Sequence, residues 1–373
     1  MNPLFSGLMN EAAHLTRHGR LAEATEAIQR ALRGGGGDAQ PASHQAPGAP
    51  AADADVIDIE ARVIETERAT PATSPSSAPS PSPAPRERQG TDQWTHGSFA
   101  HQGRTVDYML FVPASAAAQP ATPRPLVLML HGCTQNAADF AAGTRMNEHA
   151  CESGAIVLYP EQPLREHGQK CWNWFKPQHQ QRGKGEPALL AALTLHIAEQ
   201  QQADRSRLYV AGLSAGGAMA DVMGHCYADI YAAVGVHSGL PHGAAHDMMS
   251  ALNAMRTGAA PPRAAAGTTP PPTIVFHGDA DATVHASNGL AIVAGATPGE
   301  VSEGRSPSGR RFTRTHYPPS AGHADAEHWR LHAAGHAWSG GSAQGSYTQP
   351  DGVDASGEML RFFLAHRLDT AAK

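Results

Sequence analysis

From residue 93 onward, short apolar runs alternate with longer stretches of mixed character. Five runs have the length and composition of buried strands: 126–130, 156–159, 208–211, 232–236 and 273–276. Helical stretches separate most of them, for example residues 187–201 and 216–227. Strands that are apolar on both faces and alternate with helices indicate a mostly parallel sheet between two layers of helices. The pattern therefore predicts an α/β fold in three layers.

Three further segments complete this α/β region, which we assign to residues 93–373. Residues 96–113, HGSFAHQGRTVDYMLFVP, predict a β-hairpin that precedes the first buried strand. Residues 243–272 are rich in Gly, Pro and Ala, and this composition predicts an insertion loop. Residues 356–366 predict a last helix that closes the chain.

The first 92 residues have a different pattern. Residues 1–33 predict a hairpin of two short helices, and part of it resembles half of a tetratricopeptide-type hairpin. A lone hairpin cannot bury its own apolar stripe, so it is expected to dock on the α/β region or on a partner. Residues 34–92 are rich in Pro, Ala, Gly and Ser and predict a disordered linker. Within the linker, residues 56–64 have the alternation of an edge strand or are disordered like the rest.

Composition and charge narrow the class of protein. The chain has 373 residues with a formal net charge of −6, which argues against a general nucleic-acid binder. The longest apolar run, residues 208–220, falls short of the roughly 18 residues that a membrane span needs. The sequence therefore predicts no transmembrane segment.

The compartment is inferred from the start of the chain and from its cysteines. The first twenty residues lack the basic and apolar regions of a secretory signal. The four cysteines have no CxxC or zinc spacing, so they indicate neither a disulfide framework nor a structural metal. The 22 histidines are scattered, without a metal-binding motif. A cytoplasmic protein without metal or cofactor is the expectation, and an extracellular one is the alternative.

The strongest chemical signal is the pentapeptide Gly212-Leu213-Ser214-Ala215-Gly216. It is a G-x-S-x-G motif with a predicted strand before it and a predicted helix after it, which is the context of a nucleophile elbow. Such a turn is so tight that both glycines are needed, and it exposes the serine hydroxyl. The motif predicts Ser214 as a catalytic nucleophile.

A serine nucleophile needs a base and an acid that orients the base, in the chain order Ser, acid, His. The acid is expected just after the strand 273–276, where Asp279 and Asp281 compete. Asp281 is preferred because it lies further into the turn, before a predicted helix start at residue 287. The base is predicted to be His336, which lies in a glycine-flanked loop, whereas His332 and His328 are interpreted as packing or surface residues.

The oxyanion of an acyl-transfer intermediate requires two backbone N–H donors. One donor is predicted to be Ala215, directly after the nucleophile. The second is predicted in the loop after strand 126–130, where Cys133 is preferred and Thr134 is the alternative. The thiol of Cys133 is expected to pack or to pair with Cys171 rather than to act as a nucleophile.

Five motifs resemble the poly(3-hydroxybutyrate) depolymerase family of esterases: LMLHGCTQNAADF, CWNWF, GLSAGGAMA, FHGDADATVHASNG and GHAWSGG. They span residues 128–341 in the order of that family. The resemblance implies an α/β-hydrolase fold, the triad Ser214, Asp281 and His336, and a part of the oxyanion hole in the loop around Cys133. It also implies the intracellular members of the family, because neither a leader nor a separate polymer-binding domain is recognisable.

The resemblance implies a serine esterase that hydrolyses poly(3-hydroxybutyrate) or its oligomers. Four residues are predicted to bind the substrate, unless the aromatic ones are core: Trp172, Asn173, Trp174 and Trp338. An acetylxylan, feruloyl or other short-chain esterase is the alternative. A granule-surface binding protein with a vestigial elbow is the alternative from another class, and the hairpin 1–33 is the predicted contact with the granule or a granule protein.

Overall fold

The computed structural model describes residues 91–114, 123–260 and 269–369. The predicted helical hairpin 1–33 and the predicted linker, up to residue 90, lie outside the described residues. Ten of the described strands form one sheet: β1 (Gln93–His101), β2 (Arg104–Val112), β3 (Leu126–Leu130), β4 (Ile156–Glu161), β5 (Leu208–Leu213), β6 (Ala233–His237), β7 (Thr273–Gly278), β8 (Val301–Arg305), β9 (Arg311–Tyr317) and β10 (Ala326–Leu331). A two-stranded sheet pairs β11 (Trp338–Ser339) with β12 (Thr348–Gln349).

Seven α-helices connect or flank these strands in the described part of the chain: α1 (Ala137–Thr144), α2 (Met146–Ser153), α3 (Gly185–Gln200), α4 (Ala215–Cys226), α5 (Met248–Thr257), α6 (Ser287–Ile292) and α7 (Ala355–Leu364). The strand order is β1-β2-β4-β3-β5-β6-β7-β10-β9-β8. The strands from β4 to β10 in this order are parallel to one another, and antiparallel pairs extend the sheet at both ends.

Both faces of the parallel sheet are buried, because successive strand residues enter opposite cores. In β3, Leu126, Leu128 and Leu130 belong to one core, and Val127 and Met129 belong to the other. Helices α3 and α4 cover the first core, whereas α1, α2 and α7 cover the second. This burial of both faces is why these strands read as continuous apolar runs in the sequence.

The mostly parallel sheet between helices confirms the predicted three-layer α/β architecture. One prediction is wrong: the segment 243–272, expected to be an insertion loop, contains helix α5. The helix begins at a capping box in which the Asp247 carboxylate accepts from the Ser250 amide at 2.7 Å. Its small residues Ala251 and Ala254 face the core, so a composition typical of a loop also suits a packed helix.

The carboxyl ends of parallel strands meet at one edge of a sheet, and active-site loops gather there. In this fold the loops that follow β3, β5, β7 and β10 carry the predicted oxyanion donor, nucleophile, acid and base. The strands β5, β6 and β7 are adjacent, with β10 next to β7. Residues distant in sequence are therefore brought to one edge of the sheet.

Candidate active site

Ser214 lies at the turn between β5 and α4, with φ 57° and ψ −118°. This left-handed conformation is unfavourable for a residue with a side chain and is held by the surrounding backbone. The Ser214 amide donates to the His237 carbonyl oxygen at 2.9 Å. A Cβ atom at Gly212 or Gly216 would overlap the backbone of Gly216 or Leu130. The turn therefore admits only glycine at these two positions.

Asp281 and His336 are hydrogen-bonded, since His336 Nδ1 lies 2.7 Å from Asp281 Oδ2. The other carboxylate oxygen, Oδ1, accepts from the amides of Thr283 and Val284, both at 2.9 Å. Burial by itself raises the pKa of Asp281, but the hydrogen bonds from His336 and these two amides outweigh it and hold the pKa below its ordinary value. An ionised Asp281 fixes the His336 ring with its proton on Nδ1, which leaves Nε2 as a base.

Asp279 has a different position and different partners. Its carboxylate accepts from the Ala333 amide at 2.7 Å and contacts His332 Nδ1 at 3.0 Å and Arg330 Nε at 3.2 Å. The amide of Ala280 also donates to the Ala334 carbonyl oxygen at 3.1 Å. Asp279 thus connects the loop after β7 to the loop that carries His336. Its carboxylate oxygens are bonded to residues of the latter loop and of β10, and not to His336.

His237, at the end of β6, connects Ser214 to the loop that carries His336 and was not among the predicted site residues. Its Nε2 accepts from the Ser339 amide at 3.0 Å, so its Nδ1–H donates to Ser238 Oγ at 3.1 Å. The ring stacks between Trp338 and Phe276. Burial lowers the pKa of His237 to about 3, so the ring is neutral and accepts one bond while donating another. A polar residue at the end of an apolar strand was the signal available in the sequence.

The loop after β3 supplies the candidate oxyanion donor. The amide of Gly132 donates to Gln135 Oε1 at 2.9 Å, and the amide of Thr134 donates to the Gln169 carbonyl oxygen at 2.7 Å. Because Thr134 N–H is already bonded, the geometry favours Cys133 over Thr134 as the donor. The Ala215 amide belongs to the first residue of α4, where a helix offers no internal acceptor.

The loop after β3 is also covalently tied to the next loop of the site. Cys133 and Cys171 form a disulfide with their Cα atoms 4.3 Å apart. This pair is one of the two roles expected for Cys133, packing or pairing with Cys171. The spacing of the four cysteines had indicated no disulfide framework, and this is corrected here, because the fold brings together two cysteines 38 positions apart. Among the described cysteines, Cys151 and Cys226 are not part of a disulfide. Disulfides persist mainly in oxidising compartments, which removes one reason for expecting a cytoplasmic protein.

The residues predicted to bind substrate are buried, so that prediction is wrong. Trp172 is 1% exposed, and its Nε1 donates to the His131 carbonyl oxygen at 3.1 Å. Trp174 and Trp338 belong to the two cores, and Trp338 packs edge-on against Phe140. A sequence gives the presence of a tryptophan but not the direction of its ring. The alternative, in which these residues are core, holds.

Asn173, the fourth predicted substrate contact, belongs to a buried polar network around Glu186. The carboxylate accepts from Asn173 N at 2.8 Å, from Asn173 Nδ2 at 2.6 Å and from Gln162 Nε2 at 2.7 Å. His179 Nδ1 lies 3.1 Å from Oε2 of the same carboxylate. Burial raises the pKa of Glu186, but these partners outweigh it and hold the pKa below its ordinary value. The network anchors the segment that carries Cys171.

His131, the residue before Gly132, joins this network to the loop after β3. Its Nε2 accepts from the Gln162 amide at 3.0 Å, so its Nδ1–H donates to the Gly132 carbonyl oxygen at 2.7 Å. Burial lowers the pKa of His131 to about 4, so the ring is neutral at physiological pH. Its Nδ1–H positions the backbone just before Cys133, and its Nε2 joins this loop to Gln162 of the buried network.

The side chains and helices of the described residues bear on cofactors and membranes. Within these residues, no group of three or more His, Cys, Asp or Glu side chains is placed to hold a metal ion. None of the described helices combines the length and apolar character that crossing a membrane requires.

The chain is similar to known depolymerases and esterases. A profile of the family described as Esterase PHB depolymerase matches residues 106–295, slightly more than half of the 373 residues. Poly(3-hydroxyalkanoate) depolymerase C of Paucimonas lemoignei is 36% identical over 178 residues, which are 44% of this chain and 42% of that protein. Feruloyl esterase B of Thermothelomyces thermophilus is 29% identical over 154 residues, 41% of this chain and 50% of that protein. The chain thus spans half or less of the length of these curated relatives.

The solved acetyl xylan esterase from Aspergillus awamori superposes on this chain with a TM-score of 0.56 at 19% identity. The superposition covers 72% of this chain and 98% of that chain. Such a likeness shows a shared fold and confirms the α/β-hydrolase fold. The profile match confirms the family that the five motifs indicated.

Proposed function

Because the chain belongs to the PHB depolymerase family of esterases, we propose that it hydrolyses carboxylic esters with Ser214 as nucleophile. The observation that carries this proposal is the 2.7 Å hydrogen bond between His336 and an Asp281 that is held ionised. The strained serine elbow lies at the same edge of the parallel sheet. A serine at a tight elbow with an oriented base is the arrangement that acyl transfer requires.

The reaction proceeds in two halves. His336 Nε2 takes the proton of Ser214 as Oγ attacks the ester carbonyl carbon, and the amides of Cys133 and Ala215 donate to the oxyanion. The tetrahedral intermediate collapses, and the alcohol leaves with the proton from His336. A water molecule, deprotonated by His336, then attacks the acyl-enzyme, and Ser214 leaves with that proton as the carboxylic acid forms.

We propose poly(3-hydroxybutyrate) or its oligomers as the substrate. The support is the family match and a relative whose name is a poly(3-hydroxyalkanoate) depolymerase. The second candidate, an acetylated or feruloylated carbohydrate, is favoured by the relative named feruloyl esterase B. The same oxyanion hole suits either ester, so the two candidates have to be distinguished by measured rates of hydrolysis.

The test is a comparison of three substrates with one protein preparation: amorphous hydroxybutyrate granules, a soluble short-chain ester and acetylated xylan. We expect release of hydroxybutyrate from the granules at a rate above that of acetate from xylan. Ser214→Ala protein is the control for activity carried over from the host. Hydrolysis of xylan esters without hydrolysis of the granules would indicate that the substrate is the carbohydrate ester and not the polyester. Absence of hydrolysis above the level of the Ser214→Ala control would contradict the esterase proposal.

We also propose that the protein works where Cys133 and Cys171 are oxidised, which favours the extracellular alternative over the cytoplasm. The support is the disulfide itself, which lies beside the candidate oxyanion donor. Rapid alkylation of thiols in intact cultures, followed by mass spectrometry, tests this. Alkylated Cys133 and Cys171 in the native protein would contradict it.

A further inference from the structure

Tyr347 combines an exposed aromatic ring with a strained backbone at the edge of the candidate site. Its side chain is 47% exposed, whereas the tryptophans that the sequence suggested for substrate binding are buried. Its φ is 52°, in the left-handed region that is unfavourable for a bulky residue. Strain of this kind persists only where the surroundings enforce it, and it is concentrated at functional sites.

Hydrogen bonds place Tyr347 between two loops of the site. Its hydroxyl lies 3.2 Å from Thr134 Oγ1, and Thr134 Oγ1 itself donates to the Cys133 carbonyl oxygen at 2.6 Å. The hydroxyl proton of Thr134 is therefore used, so Tyr347 is the donor of the pair. The Tyr347 carbonyl oxygen accepts from the Trp338 amide at 2.7 Å. Tyr347 thus joins the loop of the candidate oxyanion donor to the segment that follows His336.

We infer that Tyr347 is the aromatic contact for the part of an extended ester substrate that continues past the oxyanion donor Cys133. This inference rests on the proposed esterase function. A substrate with a small acyl group needs no contact beyond Ser214 and the amides of the oxyanion hole. A chain of hydroxyacid units extends beyond that point, and an exposed ring beside Thr134 covers its methyl and methylene groups.

In this role Tyr347 sets the selectivity between long and short esters. The ring contacts the additional units of the long substrate, whereas a methyl ester is too short to reach it. The hydroxyl bond to Thr134 orients the ring, so loss of the hydroxyl alone is expected to matter less than loss of the ring.

The experiment compares kcat/KM on a linear trimer of 3-hydroxybutyrate with kcat/KM on methyl 3-hydroxybutyrate. Tyr347→Asn removes the ring, and asparagine accepts a left-handed backbone. We expect this variant to lose about tenfold on the trimer, the effect of uncovering one partly buried ring, and less than about twofold on the methyl ester. Tyr347→Phe, which retains the ring, is expected to stay within about threefold of wild type on both esters.

Two variants control for other causes. Tyr347→Gly also removes the ring, and glycine also accepts the left-handed conformation. This variant replaces Tyr347→Asn in the comparison if the asparagine variant does not fold. Trp94→Ala removes another exposed aromatic, 39% exposed on strand β1 at the end of the sheet, and should leave the ratio of the two kcat/KM values unchanged.

The outcomes separate this inference from the proposed function. An unchanged ratio in folded ringless variants, or an equal loss on both esters, would overturn the assignment of Tyr347 while leaving the esterase proposal in place. A wild-type protein that hydrolyses neither ester would overturn both. A ratio that falls about tenfold in the ringless variants and is restored in Tyr347→Phe would support the assignment.

Discussion

Asp279 and Asp281 are separated by one residue, yet their partners give them different tasks. Asp281 accepts from His336 and from two backbone amides. Asp279 accepts from the Ala333 amide and contacts His332, so it fastens the loop that carries His336. Sequence position alone left the choice between the two open, and the hydrogen bonds distinguish them.

This difference predicts opposite results for two matched substitutions. Asp281→Asn should lower kcat on a soluble ester by about 10³-fold or more with little change in Tm, because the amide no longer holds His336 in the required tautomer. Asp279→Asn should retain kcat within about tenfold but lower the stability by about 1–2 kcal/mol, since its charged hydrogen bonds are weakened. An active Asp281→Asn protein beside a folded but inactive Asp279→Asn protein would reverse the assignment.

At the level of elements, the parallel strands were predictable and the segments around them were less so. Strand β3 was predicted to the residue, because burial on both faces leaves a continuous apolar run bounded by polar residues. The antiparallel strands β8 and β9 were missed, since their alternating burial is weak at an exposed edge. Helix α5 was missed because its formation depends on the capping box at Asp247 within a segment of loop-like composition.

For the candidate site, the sequence could supply the proposed reactive residues but not the residues that support them. The G-x-S-x-G motif identifies a serine from local turn geometry alone, so Ser214 was predictable. The partners of Glu186 and His237 come from loops distant in the chain, and no local pattern encodes which of them meet. For the same reason the buried rings of Trp172 and Trp174 were mistaken for exposed ones.

Helix α3 offers a test of the buried network that supports the segment with Cys171. Glu186→Ala leaves the donors of Asn173 and Gln162 without their acceptor, so we expect a loss of about 3–5 kcal/mol in the free energy of unfolding. Glu199→Ala, an exposed position on the same helix, is the matched control and should cost less than about 0.5 kcal/mol. Urea titrations of the two variants measure the difference, and equal midpoints would contradict the role given to Glu186.

The whole molecule should become less stable as the pH falls below neutrality. Burial lowers the pKa of His131 to about 4, of His237 to about 3 and of His328 to about 4. An unfolded histidine has a pKa near 6.5, so below that value the unfolded chain takes up protons that the folded protein does not. Stability from these groups is complete above pH ~6.5 and is lost as the pH falls toward the folded pKa values. His149, whose pKa the hydrogen bond to Asp354 raises, opposes this trend.

Between pH 7 and pH 5 the loss should be about 2 kcal/mol for each of His131, His237 and His328. Urea midpoints at pH 7, 6 and 5 measure it. His328→Leu removes one titrating ring whose Nε2 is buried without a hydrogen-bond partner, and it should make the dependence on pH less steep. Midpoints that do not change with pH would mean that these rings take up protons in the folded state.

The central claim for the whole molecule is that its α/β-hydrolase fold presents Ser214 as a nucleophile activated by His336. The most direct measurement is covalent labelling with a fluorophosphonate, followed by mass spectrometry of the modified peptide. We predict that wild-type protein carries one phosphonyl group on Ser214, that Ser214→Ala carries none, and that His336→Ala reacts at least about 10³-fold more slowly. Label on another residue, or equally fast labelling without His336, would contradict the account.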